Sequence, residues 1–204
     1  MDGGARGIAV DKLARGLGWA AIGTAAALAG ASLAVGAACA AEPNAASPPA
    51  PSPVAIGHCL WEGLPKATRD AVAASGPTAD DVYHAMNAMN PSLMDVARAQ
   101  CPSPATPEDA QKVTDAWVAL ALQAWAQTEL YRQDKIAPET LEDAWRRFTP
   151  AERRQFELDE DKPPAAERAN VASMSKALGV TAPADVDLVA FWVLCQLHLA
   201  ALGG

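Results

Sequence analysis

From residue 54 onward the apolar positions recur every three or four residues. Val82, Met86 and Met89 make one such stripe, and Val171, Met174 and Leu178 make another. That spacing is the period of a helix with one face turned to a core. The longest run predicts a helix from Pro107 to about Lys135, roughly 43 Å at 1.5 Å per residue. Along it Val113, Trp117, Leu120, Ala124 and Tyr131 face one way, and Val118, Leu122 and Trp125 face another. Neighbours must therefore cover it on more than one side. The segment 183–202 goes further, since between Leu188 and Leu202 only Gln196 and His198 are polar. It predicts a helix buried on nearly every face, its apolar run being short of the roughly 20 residues that cross a bilayer. No stretch alternates long enough to predict a strand. The expected fold class is all-α, a single helical-bundle domain of about six to eight helices.

The polar punctuation agrees. Thr78-x-x-Asp81, Thr106-x-x-Asp109 and Thr149-x-x-Glu152 each match a capping box, in which hydroxyl and carboxylate satisfy the first free amides of a helix. Pro65, Pro91, Pro107, Pro138, Pro150, Pro164 and Pro183 stand where first helical residues are expected. Gly76 and Gly179 stand where helices are expected to end in a left-handed turn.

A phrase also recurs. "WEGLPKATR" carries Trp61, Leu64, Pro65 and Arg69, and "WRRFTPAERR" carries Trp145, Phe148, Pro150 and Arg154. Each is followed, further on, by a proline-started helix with an acid and a Trp-Val pair: Asp109 with Trp117-Val118, then Asp185 with Trp192-Val193. The order suggests two duplicated halves. Nothing in the phrase supplies a nucleophile or a base, so it reads as two helix starts.

The amino-terminal forty residues change the picture of where the protein resides. Arg6, Lys12 and Arg15 precede an uncharged segment from Leu17 to Ala38, closed by Ala38-Cys39-Ala40. Basic start, apolar middle and small-residue end predict a signal peptide over 1–40 and an exported, periplasmic or extracellular protein. The alternative is an uncleaved membrane anchor formed by residues 17–38, which would be the chain's one membrane contact. Cys39 raises lipidation as a third course, against which Gly36 stands where a lipoprotein signal has leucine. Residues 41–53, "AEPNAASPPAPSP", predict an extended Pro/Ala/Ser linker. The α-helical domain is then 54–204, large enough to fold without a metal.

The charge of −8 becomes −9 when residues 1–40, with three basic and two acidic side chains, are removed. Phosphate backbones repel such a chain, so nucleic acid is an unsuitable partner. Of the four cysteines Cys59, Cys101 and Cys195 follow the signal. Cys59 and Cys101 fall beside expected loops while Cys195 falls in the apolar helix, so the expected disulfide is Cys59–Cys101.

Candidate chemistry is sparse. The three histidines, His58, His84 and His198, lie far apart in sequence. Cys195 and His198 share a helix face but lack companion ligands, and they read as core. "HAMNAMNPSLM" places His84, Met86, Met89 and Met94 close together, and thioethers suit Cu(I). The acids Glu139, Glu142, Asp143, Glu157, Asp159, Glu160 and Asp161 offer carboxylates for a hydrolase, or a solvated face with Arg153 pairing Glu157. No catalytic fingerprint and no cofactor motif is present in the sequence. The reading expected to hold is a non-enzymatic exported helical protein that binds an envelope protein or other envelope component. A copper-binding protein is the alternative and a hydrolase the third.

Overall fold

The computed structural model describes residues 50–153 and 164–203, the side chains of 164–170 excepted. The expected signal segment, most of the expected linker and the acids Glu157, Asp159, Glu160 and Asp161 lie outside these residues. All regular structure described is helical. In chain order the helices are α1 (Pro53–Gly63), α2 (Lys66–Ala73), α3 (Ala79–Asn87), α4 (Pro91–Gln100) and α5 (Pro107–Asp134). Then follow α6 (Pro138–Arg146), α7 (Pro150–Arg153), α8 (Pro164–Ala177) and α9 (Pro183–Gly203). Nine helices among the described residues exceed the six to eight expected, because α7 is a single turn of four residues.

The starts of these helices follow the local chemistry. Ser52 caps α1 by accepting from the Ala55 amide, which places Pro53 inside the helix rather than in the linker. Thr78 and Asp81 close a full capping box on α3, and Thr149 with Glu152 does the same for α7. On α5 the Thr106 hydroxyl accepts from the Asp109 amide, with Pro107 first in the helix. Pro65 departs from expectation: it is the cap before α2, not the first helical residue.

The two glycines also diverge. Gly179 ends α8 at φ +78°, a left-handed conformation that costs glycine little. Gly76 does not adopt positive φ. It is needed for space, since a Cβ there would come within 2.5 Å of the Asp81 carboxyl carbon and collide with the α3 capping box. Lys135, without a glycine's freedom, ends α5 in the left-handed region at φ 60°.

α5 is the axis of the domain, packed by α9, α1, α2 and α3. Its buried residues include Val113, Val118, Leu120, Leu122, Trp125 and Leu130, which lie on several faces. Trp125 is fully buried and its indole N–H donates to the Gly76 carbonyl at 2.8 Å. Trp117 is only half-buried, and Tyr131 is 55% exposed at the far end of the helix, under the Lys135 ammonium. α9 is longer than its apolar run, extending over 21 residues, and is the one described helix long and apolar enough to cross a membrane. Leu188, Val189, Phe191, Trp192, Val193, Cys195 and Leu199 are all buried in the domain. Phe191 meets Trp125 edge-on at 5.5 Å, and Trp192 meets Trp145 edge-on at 6.4 Å.

Cys59 and Cys101 are bonded, with their Cα atoms 5.8 Å apart. Cys101 caps the end of α4, as its expected loop position requires. Cys59 is inside α1 rather than beside it. The pair forms because α1 and α4 run against each other with little between them. A Cβ on Gly63, one turn after Cys59, would come within 3.3 Å of the Ala97 side chain, one turn before Cys101.

Candidate functional site

The recurring tryptophan phrase forms a helix corner in both places, and the tryptophan ends a helix instead of starting one. Trp61 is in the last turn of α1 and Trp145 in the last turn of α6. The Leu64 amide donates to the Trp61 carbonyl at 3.3 Å, and the Phe148 amide donates to the Trp145 carbonyl at 3.1 Å. Each corner is then tied by an arginine. Arg69 donates to the Glu62 carbonyl at 3.3 Å, and Arg153 donates to the Arg146 carbonyl at 3.4 Å. Counted from the tryptophan both arginines are the eighth residue on. Counting from the proline points instead to Arg154, so the sequence phrase held the right signal under the wrong alignment.

A cavity opens beside each corner. The first, about 560 Å³, includes Val54 and His58 of α1, Gln123 of α5, Glu142 and Trp145 of α6, and Arg153. Its remaining wall comes from α9, with Gln196 and the exposed Ala200. The second, about 310 Å³, includes Trp61, Arg69, Asp70, Gln127, Tyr131 and Pro138. Three helices are common to both. Along α1 the linings run from Val54 and His58 to Trp61, and along α6 from Trp145 and Glu142 back to Pro138. On α5, Gln123 of the first cavity is followed directly by Ala124 of the second.

The charges in these cavities are unevenly matched. Asp70 already pairs with Lys66 at 2.6 Å, and Glu142 lies 3.6 Å from Arg146. Neither Arg69 nor Arg153 forms a salt bridge among the described residues. Arg153 stacks 5.2 Å from the Trp145 ring centre, and its Nε is buried with no hydrogen-bond partner among the described residues. Gln123 is only 9% exposed, yet its amide makes no hydrogen bond among the described residues. The amide itself keeps its contact with solvent through the cavity that it lines.

Of the histidines, methionines and acids singled out from the sequence, His58 and Glu142 line the first cavity, and the other described ones fall elsewhere. His84 is exposed on α3 and Met86 is buried. Met89 and Met94 pack against the cluster of Ile56, Leu60 and Ala97, as gap-filling core residues do. Glu139 and Asp143 are exposed with Glu142, and Arg146 also pairs with Asp143 at 3.1 Å. No group of three or more metal-ligating His, Cys, Asp or Glu side chains occurs among the described residues. Burial pushes the Cys195 thiol up to about 12, so it stays protonated at neutral pH.

One buried acid lies apart from the cavities. Asp185, in the first turn of α9, is 8% exposed and its Oδ1 has no hydrogen-bond partner among the described residues. Burial, with a smaller contribution from the charge on Asp134, raises its pKa above the ordinary 3.8. The folded protein therefore holds this proton more tightly than the unfolded chain does. The charge costs stability at neutral pH, and that cost is relieved as pH falls through the raised value toward 3.8. Asp185→Asn is expected to raise the melting temperature at pH 7 by about 2–4 °C, the shift of roughly 1 kcal/mol in a domain of this size. The variant should also lose part of the parent's stabilisation on mild acidification. Equal melting curves for the two proteins at pH 7 and pH 5 would remove the assignment.

No protein-family model, curated protein or solved structure matches the chain.

Proposed function

We propose that the protein is an exported, non-enzymatic helical module that acts by binding another macromolecule of the cell envelope. The observation that carries this reading is the pair of cavities lined by residues of α1, α5 and α6, where, among the described residues, Arg69 and Arg153 form no salt bridge and Gln123 and Gln127 no side-chain hydrogen bond. Such a mixture of fixed polar groups on rigid helices suits recognition. The Cys59–Cys101 bond supports the export half, since structural disulfides persist in oxidising compartments.

A steric block tests the binding half without presuming the chemistry of the ligand. Ala200 is exposed at the wall of the larger cavity, so Ala200→Trp adds bulk there while leaving the core alone. Parent and variant, recovered from the exporting host, would be immobilised and exposed to envelope extract. The parent is expected to retain at least one component that the variant loses. Identical retention by both, or none by either, overturns the proposal. Intact mass of the same material should show a chain beginning near Ala41. A species keeping residues 1–40 would identify an anchored protein, and added diacylglycerol on Cys39 a lipoprotein.

A further inference from the structure

We infer that the smaller cavity is a saccharide subsite, which takes one or two uncharged sugar rings of an envelope glycan. This names a ligand class for the binding module just proposed and rests on that reading. The described lining comes from four helices: Trp61 of α1, Arg69 and Asp70 of α2, Gln127 and Tyr131 of α5, and Pro138 at the start of α6. All of it falls within the unbroken described stretch 50–153. At about 310 Å³ the cavity lies at the lower end of the range for ligand sites. Ala73 of α2 and Ala124 of α5 keep it open, each lining it with a single methyl group.

Charge, hydrogen bonding and ring surface together select the ligand. The charged residues of the described lining are Arg69 and Asp70, one of each sign, so neither an anion nor a cation meets an excess of its opposite. Arg69 spends one N–H on the Glu62 carbonyl at 3.3 Å, and Asp70 spends one carboxylate oxygen on Lys66 at 2.6 Å. The Gln127 amide and the Tyr131 hydroxyl make no hydrogen bond among the described residues. Donors and acceptors are therefore both on offer, and Gln127 and Tyr131 each supply both. A sugar hydroxyl likewise donates and accepts, so a ring bearing several of them matches this mixture. A wholly apolar ligand would leave the same groups desolvated and unpaired. The aromatic residues supply the rest, Trp61 half-buried and Tyr131 55% exposed. The face of an aromatic ring is negative, and it attracts the slightly positive C–H groups on the face of a sugar. The Lys135 ammonium lies over one face of the Tyr131 ring, 5.9 Å from its centre, which leaves the opposite face. A peptide fits less well, since its binding rests on anchor side chains in fully desolvated pockets, and this cavity keeps Arg69, Asp70 and Gln127 in its lining.

The test is saturation-transfer NMR on the protein as exported, with cellotriose, maltotriose and tri-N-acetylchitotriose in separate arms to distinguish the kind of sugar. At least one is expected to bind with a dissociation constant of about 1 mM or tighter. Saturation should be strongest on ring C–H protons. Tyr131→Ala should weaken that ligand about fivefold, the value of a stacked ring, whereas Tyr131→Phe keeps the ring and most of the binding. Gln127→Leu should also weaken it about fivefold, by removing hydrogen bonds without touching either ring. The two positions report separately, so one variant reads the site if the other fails to fold. No saccharide binding at millimolar concentration overturns the inference. So does binding left unchanged by both Tyr131→Ala and Gln127→Leu, which would place the sugar elsewhere. Equal or tighter binding of acetyl-trialanine amide overturns it as well, and would assign the cavity to peptide. If every saccharide fails while Ala200→Trp, at the other cavity, still abolishes capture from extract, the saccharide assignment falls and the binding module stands.

Discussion

Trp192→Ala is expected to cost about 3–5 kcal/mol, enough to remove much of the stability of an ordinary domain. Trp192 is wholly buried near the middle of α9, with its ring edge-on to Trp145 of α6. Truncation therefore opens a cavity where α9 meets α6, and the surrounding helices are too rigid to close it. Chemical denaturation should show the loss as a lower midpoint with a similar slope. Two milder substitutions separate packing from hydrogen bonding. The Trp192 indole N–H is buried without a partner among the described residues, so Trp192→Phe gives up ring volume but none of the hydrogen bonds described. The Trp125 indole donates to the Gly76 carbonyl at 2.8 Å, so Trp125→Phe gives up both. Trp125→Phe should be the more destabilising by about 1 kcal/mol, the net value of a typical hydrogen bond. A Trp192→Ala protein that melts within a degree of the parent would show that α9 does not hold the core together.

The local events of folding were legible because they are local. Pro91, Pro107, Pro138, Pro150, Pro164 and Pro183 all begin helices, and each needs only its own missing amide to do so. The run of α9 was legible only in part: Leu188, Val189, Phe191, Trp192 and Val193 are covered, but Leu194 and Leu197 are half-buried and Ala200 and Ala201 exposed, so the helix is not covered on every side as its composition predicts. Pro65 and Gly76 were misread for a shared reason. Each acts through neighbours that a sequence window does not include: the preceding corner at Trp61, and the α3 cap that leaves Gly76 no room for a side chain. The candidate site was hidden almost entirely. Gln123 and Gln127 are ordinary polar residues in a long helix until α1 and α6 are set on either side of them. Arg69 and Arg153 were within the recurring phrase, but their role at the two corners depends on which carbonyl each one reaches, and that is fixed by the fold. The methionine group illustrates the converse. Its spacing looks like a ligand set, yet the helices turn Met89 and Met94 into the core and His84 out to solvent.

Loss of the Cys59–Cys101 bond is expected to be the other large effect. The bond closes a loop containing α2, α3 and α4, with the two cysteines 42 positions apart. Restricting a loop of that length in the unfolded chain is worth about 4 kcal/mol by the chain-entropy argument. A Cys59→Ser, Cys101→Ser protein should therefore melt about 10 °C or more below the parent, at roughly 2–4 °C per kcal/mol. The loss should be uneven along the chain. α1 and α4 meet through small residues at Gly63 and Ala97, so without the bond little apolar area holds α4 in place. α5 and α9 keep the buried tryptophans and their contacts. Hydrogen exchange should accordingly quicken first in α3 and α4, and last in α5 and α9. Thiol counting checks the assignment independently. Native protein from an oxidising compartment should show no reactive thiol at pH 8, because Cys195 is buried and pushed up to about 12. After unfolding without reductant, a chain that begins near Ala41 should show one thiol, from Cys195. A linked peptide containing Cys195, or both Cys59 and Cys101 free in exported protein, would overturn the pairing and with it the expected loss of stability.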